Sequence, residues 1–244
     1  MELTVIGCWG AYPAPNEATS GYLIKRGELS ILLDCGSGVL SRLQNEVPLE
    51  QLDAVFITHT HADHIADALT LEFAALVLMQ TGKRSKPLDV YVYGEDPDKL
   101  GFQFPECVRV HPIDLRQKVQ IGELTLEFSE NVHEVPCCAV KVTAADGKSL
   151  VYSSDTGYCD SIVEFSRQAD VLVLESSFYD WQKGAMRGHL TAGEAGEIAA
   201  LAKPGQLVLT HFPHYGDLRQ LEAEASSRFD GQTRLAFGGM KLNI

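Results

Sequence analysis

Residues 58–64, with the sequence Thr-His-Thr-His-Ala-Asp-His, constrain this chain more than any other stretch. They follow an apolar, β-rich run, Asp53–Thr58, which is typical of a buried strand. They precede Ile65–Gln80, whose composition predicts a helix. The motif therefore lies at the carboxyl end of a strand, where α/β proteins place many of their binding sites.

The spacing of the polar side chains in this motif suits a metal ion. His59 and His61 are two residues apart, so in extended chain their side chains point in the same direction. Asp63 and His64 follow where the chain turns into the helix, and Asp63 is also a candidate N-cap. Three imidazoles and a carboxylate within this stretch form a ligand set suited to zinc or a similar borderline metal. The alternative is a polar turn with incidental histidines, although three of the chain's eight histidines fall here.

Composition and charge restrict the class of protein and of partner. The 244 residues are 45% apolar, and we predict a single domain that covers residues 1–244. The net charge of −13 argues against a large nucleic acid as partner, whereas bound metal ions could still attract a small anion. Met1 leads directly into a strand-like segment, no apolar run is long enough to span a membrane, and the six cysteines form no Cys-x-x-Cys pair. We therefore expect a cytoplasmic protein with reduced thiols and no membrane partner.

Further candidate site residues lie where predicted strands end or where a helix begins. They are His133, Asp155, Glu175, His189 and His211. If these ends converge with the histidine motif, two metal ions bridged by Asp155 have seven ligands. The seven are His59, His61, Asp63, His64, His133, Asp155 and His211.

The spacing of the sequence restricts the interpretation of three further features less strongly. The glycine-rich turn Asp34–Gly38 lacks the sequence of a phosphate-binding loop, and Asp34 is either a turn residue or a carboxylate that orients a metal-bound histidine. His111 is interpreted as a structural or surface histidine. A short helix is predicted over Glu95–Gly101.

Taken together, these motifs resemble those of the metallo-β-lactamase-fold hydrolases. The superfamily signature His-x-His-x-Asp-His is present as residues 59–64, and the later candidates match its other ligands in order and spacing. The resemblance covers essentially the whole chain and implies an α/β fold, a four-layer αββα sandwich with the site at its edge. Within the superfamily the chain is similar to the branch that holds tRNase Z and the phosphonate-pathway cyclic phosphodiesterase, on residues 151–157, 171–177, 189–194 and 207–212.

The resemblance also implies a reaction and its cofactors. It implies two divalent metal ions, with zinc expected and manganese or iron as alternatives, and a metal-bridging hydroxide that attacks a small phosphodiester of cyclic or nucleotide-like type. His189 would act as general acid, oriented by Glu175, and Asp63 would be both a ligand and a base. A homodimer is an expectation from the family.

One departure from the tRNase Z pattern bears on the substrate. The segment between His133 and Asp155 is too short to hold the long arm with which tRNase Z grips tRNA, and it is predicted to form a hairpin. Together with the acidic charge, this favours a small phosphodiester over tRNA. The alternatives are a lactone or thioester hydrolase with the same metals, and an RNA-processing nuclease in which a dimer surface replaces the arm. A non-catalytic protein on a degenerate fold would have lost ligands, and none is lost here.

Overall fold

A computed structural model describes residues 1–94, 96 and 100–244. The described chain divides into two compact units. Unit 1 contains residues 1–114 and 237–243, and unit 2 contains residues 115–236 and 244. The single domain predicted from the sequence stays a prediction. The short helix predicted over Glu95–Gly101 falls on residues 95 and 97–99, which lie outside the described part of the chain.

Unit 1 is built on a seven-stranded sheet. Its strands are β1 (Glu2–Gly7), β2 (Gly21–Arg26), β3 (Leu29–Leu33), β4 (Ala54–Ile57), β5 (Leu88–Val92), β6 (Val108–Pro112) and β14 (Lys241–Asn243). They lie in the order β14-β1-β2-β3-β4-β5-β6. The helices of unit 1 are α1 (Val39–Leu43), α2 (Ala62–Ile65) and α3 (Ala68–Gln80), and a short 3₁₀ turn covers Leu49–Gln51.

Unit 2 is built on a second seven-stranded sheet. Its strands are β7 (Val119–Ile121), β8 (Leu124–Glu130), β9 (Cys138–Ala144), β10 (Ser149–Tyr152), β11 (Val171–Glu175), β12 (Gln206–Thr210) and β13 (Gln232–Leu235). They lie in the order β13-β12-β11-β10-β9-β8-β7. The helices of unit 2 are α4 (Asp160–Phe165), α5 (Ala192–Ala202) and α6 (Leu218–Ser226), and a 3₁₀ turn covers Asp180–Gln182.

The two sheets share one pattern of strand pairing. From β14 to β3 and from β7 to β10, each sheet makes three antiparallel pairings. From β3 to β6 and from β10 to β13, each sheet makes three parallel pairings. The chain thus repeats a topology for which the sequence shows no repeat. The parallel strands of each sheet direct their carboxyl ends to one edge, and the candidate residues follow these ends.

Apolar burial explains why the central strands form. Every residue of β4 and β11 is buried, as expected for parallel strands that are covered on both faces. In unit 1 the helices supply part of this cover, because Leu43 of α1 and Leu71 of α3 belong to the same apolar cluster as Val55 and Val90 of the sheet. The strand ends that carry the candidate residues are therefore anchored in a packed core.

Two sequence predictions need correction, and one strand was missed. The helix predicted over Ile65–Gln80 is two helices, α2 and α3, because Asp67 leaves the helical hydrogen-bond pattern to bind Cys35 O through its amide (3.0 Å) and the Leu40 amide through its carboxylate (2.9 Å). Asp63 is not an N-cap, since α2 begins at Ala62 and has His61 in the cap position. Strand β14 was not predicted.

None of the helices in the described residues is long and apolar enough to cross a membrane.

Candidate metal centre

The histidine motif follows β4, as predicted, and its side chains gather within unit 1. The ring centroid of His59 lies 4.8 Å from that of His61 and 4.1 Å from that of His64. Candidate ligand atoms of His59 and His61 lie within 4.8 Å of each other, and so do those of Asp63 and His64. The rings of His59 and His64 are fully buried. The motif thus forms two adjacent ligand pairs.

Asp34, at the end of β3, orients His64. Its Oδ2 lies 2.7 Å from His64 Nδ1, and the carboxylate also accepts hydrogen bonds from the amide and the hydroxyl of Thr58. Because a carboxylate can only accept, His64 Nδ1 carries the hydrogen, and in the neutral ring the lone pair lies on Nε2. Metal-bound histidines in proteins usually have such a partner. Of the two interpretations of Asp34, the structure therefore favours the carboxylate that orients a histidine.

The glycine-rich turn after Asp34 serves close packing. A Cβ atom at Gly36 would lie 1.9 Å from the carbonyl oxygen of Asp63 and 2.2 Å from Thr19 Oγ1. The neighbouring Cys35 amide donates to the carbonyl oxygen of His64 at 2.8 Å. The turn thus lies directly against the histidine motif, and this contact explains its glycine without a phosphate ligand.

In unit 2, the Asp155 carboxylate lies between two histidines. Its Oδ2 is 3.8 Å from His133 Nε2, and its Oδ1 is 3.3 Å from His211 Nε2. Each oxygen of the carboxylate therefore faces a different imidazole. This is the arrangement expected of a carboxylate that bridges two metal ions.

The other ring nitrogen of each of these histidines is also engaged. His133 Nδ1 lies 2.9 Å from the carbonyl oxygen of Gly188, and His211 Nδ1 lies 2.8 Å from Ser177 Oγ. The Gly188 carbonyl can only accept, and the Ser177 hydroxyl already donates to Glu175 Oε2 at 2.6 Å, so each Nδ1 is the donor. In the neutral rings both Nε2 atoms then carry lone pairs that face Asp155. Lone pairs in this arrangement are stabilised by a cation between them, so the donor set fits a divalent metal.

Glu175 and His189 form a second carboxylate–histidine pair in unit 2, in which Glu175 is buried and His189 is partly exposed. His189 Nδ1 lies 3.0 Å from Glu175 Oε1, and the carboxylate also accepts from the amides of Thr156 (2.8 Å) and Leu190 (3.2 Å). Burial lowers the pKa of His189, but the Glu175 carboxylate outweighs it, with smaller contributions from Asp155 and Glu134, and raises the pKa to about 9. His189 is thus held protonated near neutral pH. The contact with Glu175 fixes the Nδ1 side of the ring, and the catalytic role expected for the pair stays a prediction.

Strained backbone marks three of the strand ends. Asp34, Ser154 and His211 have φ values of 57°, 55° and 58°, in the left-handed region that side chains other than glycine rarely adopt. Such strain costs about 1–3 kcal/mol per residue and persists where the surroundings enforce it, often at functional sites. Asn131 provides one such constraint, because its Nδ2 donates to the carbonyl oxygens of Ser153 and Asp155.

Some residues of the site were missed by the sequence analysis, and one prediction outside the site is supported. Ser177 and Asn131 belong to no recognisable motif, although Ser177 lies in residues 171–177, one of the ranges that carry the family resemblance. Glu134 was also missed, and its Oε2 lies 2.9 Å from His133 Nδ1.

His111, outside the site, is structural, because it binds Asp89 at 2.7 Å and stacks on Tyr91.

Comparison with known proteins identifies the class. The family profile of the beta-lactamase superfamily domain matches residues 30–212. The chain is 43% identical to "Probable metallo-hydrolase YhfI" of Bacillus subtilis (strain 168), over 98% of both proteins. The crystal structure of that metallo-β-lactamase-fold protein superposes with a TM-score of 0.94 at 41% identity, over 99% of this chain and 98% of that one.

More distant relatives agree with the predicted branch. The chain is 28% identical to "Ribonuclease Z" of Synechocystis sp., over 100% of this chain and 94% of the relative. A diphosphatase of the PhnP family has a similar structure, with a TM-score of 0.73 at 18% identity, over 100% of this chain and 97% of that one. The chain therefore belongs to the beta-lactamase superfamily and has the metallo-β-lactamase fold, which confirms the predicted α/β class and resemblance.

Proposed function

We propose that this protein is a dinuclear metal-dependent phosphodiesterase that acts on a small phosphodiester. The observation that carries the proposal is the Asp155 carboxylate, whose two oxygens face the Nε2 atoms of two different histidines. In two-metal hydrolases the ions lie about 3.5–4 Å apart, and a carboxylate with one oxygen directed to each ion can bridge such a pair. The family and the name of the YhfI relative support a metal-dependent hydrolase.

We propose the seven metal ligands expected from the sequence. These are His59, His61, Asp63, His64, His133, Asp155 and His211. Imidazole and carboxylate donors suit zinc, and manganese or iron are the alternatives. When bound, the ions would lower the pKa of a water molecule and polarise a phosphoryl oxygen.

His189 supplies the proton that the leaving group needs, and Glu175 orients His189. The Nδ1–H of His189 is held by Glu175, so the opposite ring nitrogen can present a hydrogen to the oxygen that leaves phosphorus. Asp63 can accept a proton from the attacking water, in addition to its role as ligand. A general acid of this kind typically contributes about 10²–10⁴-fold to the rate.

The size and charge of the protein support a small substrate. The predicted hairpin between His133 and Asp155 is present, since β9 and β10 pair antiparallel there, and the net charge is −13. The Ribonuclease Z relative supports a phosphorus ester over a carbon ester. We therefore propose a cyclic or nucleotide-like phosphodiester, with no large nucleic acid and no membrane as partner.

The first test is hydrolysis of bis(p-nitrophenyl) phosphate by protein loaded in turn with zinc, manganese and iron. We expect cleavage by the wild type, a kcat about 10²–10⁴-fold lower for His189→Ala, and loss of both metal and activity for Asp155→Ala. His111→Gln is the matched control, because His111 is also paired with a carboxylate but lies outside the proposed site. Its activity should equal that of the wild type.

Two outcomes would redirect the proposal. Protein that binds metal and cleaves no phosphodiester refutes the phosphodiesterase, and lactones and thioesters become the next substrates to assay. Equal activity of His189→Ala and the wild type on the phosphodiester refutes the general acid.

We further propose that the protein is cytoplasmic and forms a homodimer. All six cysteines are free thiols, which supports a cytoplasmic location. Helix α3 exposes Leu69, Phe73 and Val77, which follow one another at four-residue spacing along one stripe and support a homodimer. Light scattering on the wild type and on Phe73→Glu tests this, because the charge should dissociate a dimer formed through that stripe.

A further inference from the structure

The loop between β1 and β2 reaches the candidate ligand Asp63 through a backbone hydrogen bond. The amide of Ala11 donates to Asp63 Oδ2 at 2.8 Å. The same oxygen lies 3.7 Å from His64 Nε2. The Asp63 side chain is only 10% exposed, so the hydrogen bond is largely shielded from water.

The backbone of Ala11 is strained in the conformation that directs this amide. Its φ is 61°, in the left-handed region, where an alanine is disfavoured by roughly 1–2 kcal/mol. The Tyr12 amide donates to the carbonyl oxygen of Gly10 at 2.7 Å, so a tight turn encloses Ala11. A strained residue is retained only where the rest of the structure enforces it.

Arg42 of α1 supplies much of that enforcement. Its Nε donates to the carbonyl oxygen of Ile6 at 3.0 Å, and its Nη1 donates to the carbonyl oxygen of Asn16. Nη1 also lies 3.4 Å from the Glu17 carboxylate. One guanidinium thus binds both the end of β1 and the far end of the loop. The loop is closed on both sides of Ala11, and its amide is fixed relative to unit 1.

We propose that the Ala11 amide is a positioning group, which holds the Asp63 carboxylate in the rotation that the metal centre needs. The inference rests on the proposed function, because it takes Asp63 as a ligand. A carboxylate can rotate about its terminal torsion, and that torsion has broad energy wells. A fixed N–H on Oδ2 restricts this rotation. Groups that orient a ligand in this way typically contribute about 10–100-fold to metal affinity or activity.

The decisive experiment removes only the N–H. A synthetic segment 1–34, in which lactic acid replaces Ala11, is joined to expressed residues 35–244 through the amino-terminal Cys35, and the full chain is refolded. The ester also weakens the Gly10 carbonyl as an acceptor. The matched control therefore replaces Tyr12 by its α-hydroxy analogue, which removes the Tyr12–Gly10 hydrogen bond and keeps the Ala11 amide. All-amide protein assembled by the same ligation is the reference.

The measurements separate positioning from folding. Circular dichroism and the Tm of the metal-free proteins report the fold, zinc affinity is measured by competition with a chromogenic chelator, and kcat and KM are measured with bis(p-nitrophenyl) phosphate. We expect the Ala11 ester to bind one of two zinc ions about 10–100-fold more weakly, with a lower kcat and little change in KM. The Tyr12 ester should stay within about threefold of the reference.

Equal zinc affinity of the Ala11 ester and the reference would overturn the inference. So would an equal loss in the Tyr12 ester, since the turn and not the amide would then be responsible. The affinity measurement needs no substrate, so it decides the inference even if the protein cleaves no phosphodiester. A reference protein that binds no divalent ion overturns both this inference and the proposed function.

Discussion

Each unit has a carboxylate–histidine pair beside strand ends, and the two pairs differ in the surroundings of the histidine. In unit 1, Asp34 binds His64 at 2.7 Å, and both side chains are fully buried. In unit 2, Glu175 binds His189 at 3.0 Å, and His189 remains 14% exposed. The chemical groups are the same, so the difference in role that we propose must come from their environment.

The environment of the second ring nitrogen separates the two roles. His64 Nε2 faces Ser20 Oγ at 3.4 Å and Asp63 Oδ2 at 3.7 Å, which is an enclosed setting suited to a metal ligand. His189 is accessible, and the carboxylates around it raise its pKa to about 9, which suits a proton donor. On this basis we propose that the enclosed imidazole, His64, is a metal ligand and that the accessible one, His189, is the general acid.

The largest effect should follow from Glu175→Gln. An amide no longer favours protonated His189, so we expect kcat to fall at least about 100-fold while bound metal is unchanged. Metal content by atomic emission and steady-state kinetics on the same sample check this. A parallel loss of metal would show that Glu175 supports the ligands, for example through Ser177 and His211, and would remove the contrast between the pairs.

Asp34→Asn should weaken metal binding and leave the activity of the metal-loaded protein unchanged, which is the reverse of Glu175→Gln. We expect metal affinity to fall by about 10–100-fold, because the amide orients His64 less well, and activity to return when metal is added in excess. A metal titration of activity, run beside Glu175→Gln, distinguishes the two variants. Activity that stays low at saturating metal would place Asp34 in the reaction itself.

The sequence predicts the groups that carry chemistry in their side chains. The histidine motif and the strand-end candidates lie where expected. The spacing of polar residues after apolar runs carries this information. The convergence of all seven ligands on one centre stays a prediction.

What the sequence does not show are contacts made by the backbone and by the tertiary fold. The amide of Ala11 and the carbonyl of Gly188 act without any side-chain signal. Strand β14 is three residues long, and it forms because β1 offers an unpaired edge, a property of tertiary structure. Residue type alone also does not indicate that Ser177 links His211 to Glu175.

The pH dependence of stability should test the Glu175–His189 pair without metal. The pKa of His189 is raised from 6.5 to about 9 in the folded protein. The pair therefore stabilises the fold fully below pH 6.5 and loses this contribution as the pH rises through 9. With EDTA present, the Tm difference between the wild type and His189→Gln should be several degrees at pH 6 and should vanish by pH 10. A difference that is constant with pH would contradict the ion pair.

The smallest effect concerns a serine–aspartate contact that occurs once in each unit. In unit 1, Ser30 and Asp53 are joined by two hydrogen bonds. The Ser30 amide donates to Asp53 Oδ2 at 2.8 Å, and the Asp53 amide donates to the Ser30 carbonyl oxygen at 2.8 Å. Ser149 and Asp170 make the same two bonds in unit 2, at 2.9 and 3.0 Å. Both pairs join the last antiparallel arm to the next parallel strand, so they are equivalent in the repeated topology. Within residues 1–94, 96 and 100–244, Asp170 is the one of these two aspartates that has a lysine partner, Lys148, at 2.6 Å.

The lysine partner predicts how the stability contribution of Asp170 responds to acid. At pH 7, Asp53→Ala and Asp170→Ala should each lower the free energy of unfolding by about 1 kcal/mol. Burial raises the pKa of Asp170, but the bonds from Lys148 and the Ser149 amide outweigh it and hold the pKa below 3.8. The contribution of Asp170 is therefore present above pH 3.8 and is lost as the pH falls through the lower folded value. Urea unfolding between pH 7 and pH 3 should show the Asp170→Ala deficit shrinking only at the acid end. When Asp170→Ala is compared in a Lys148→Met background, which keeps the carboxylate and removes its lysine partner, the shrinkage should begin at a higher pH. A deficit with the same pH dependence in both backgrounds would contradict the role of Lys148.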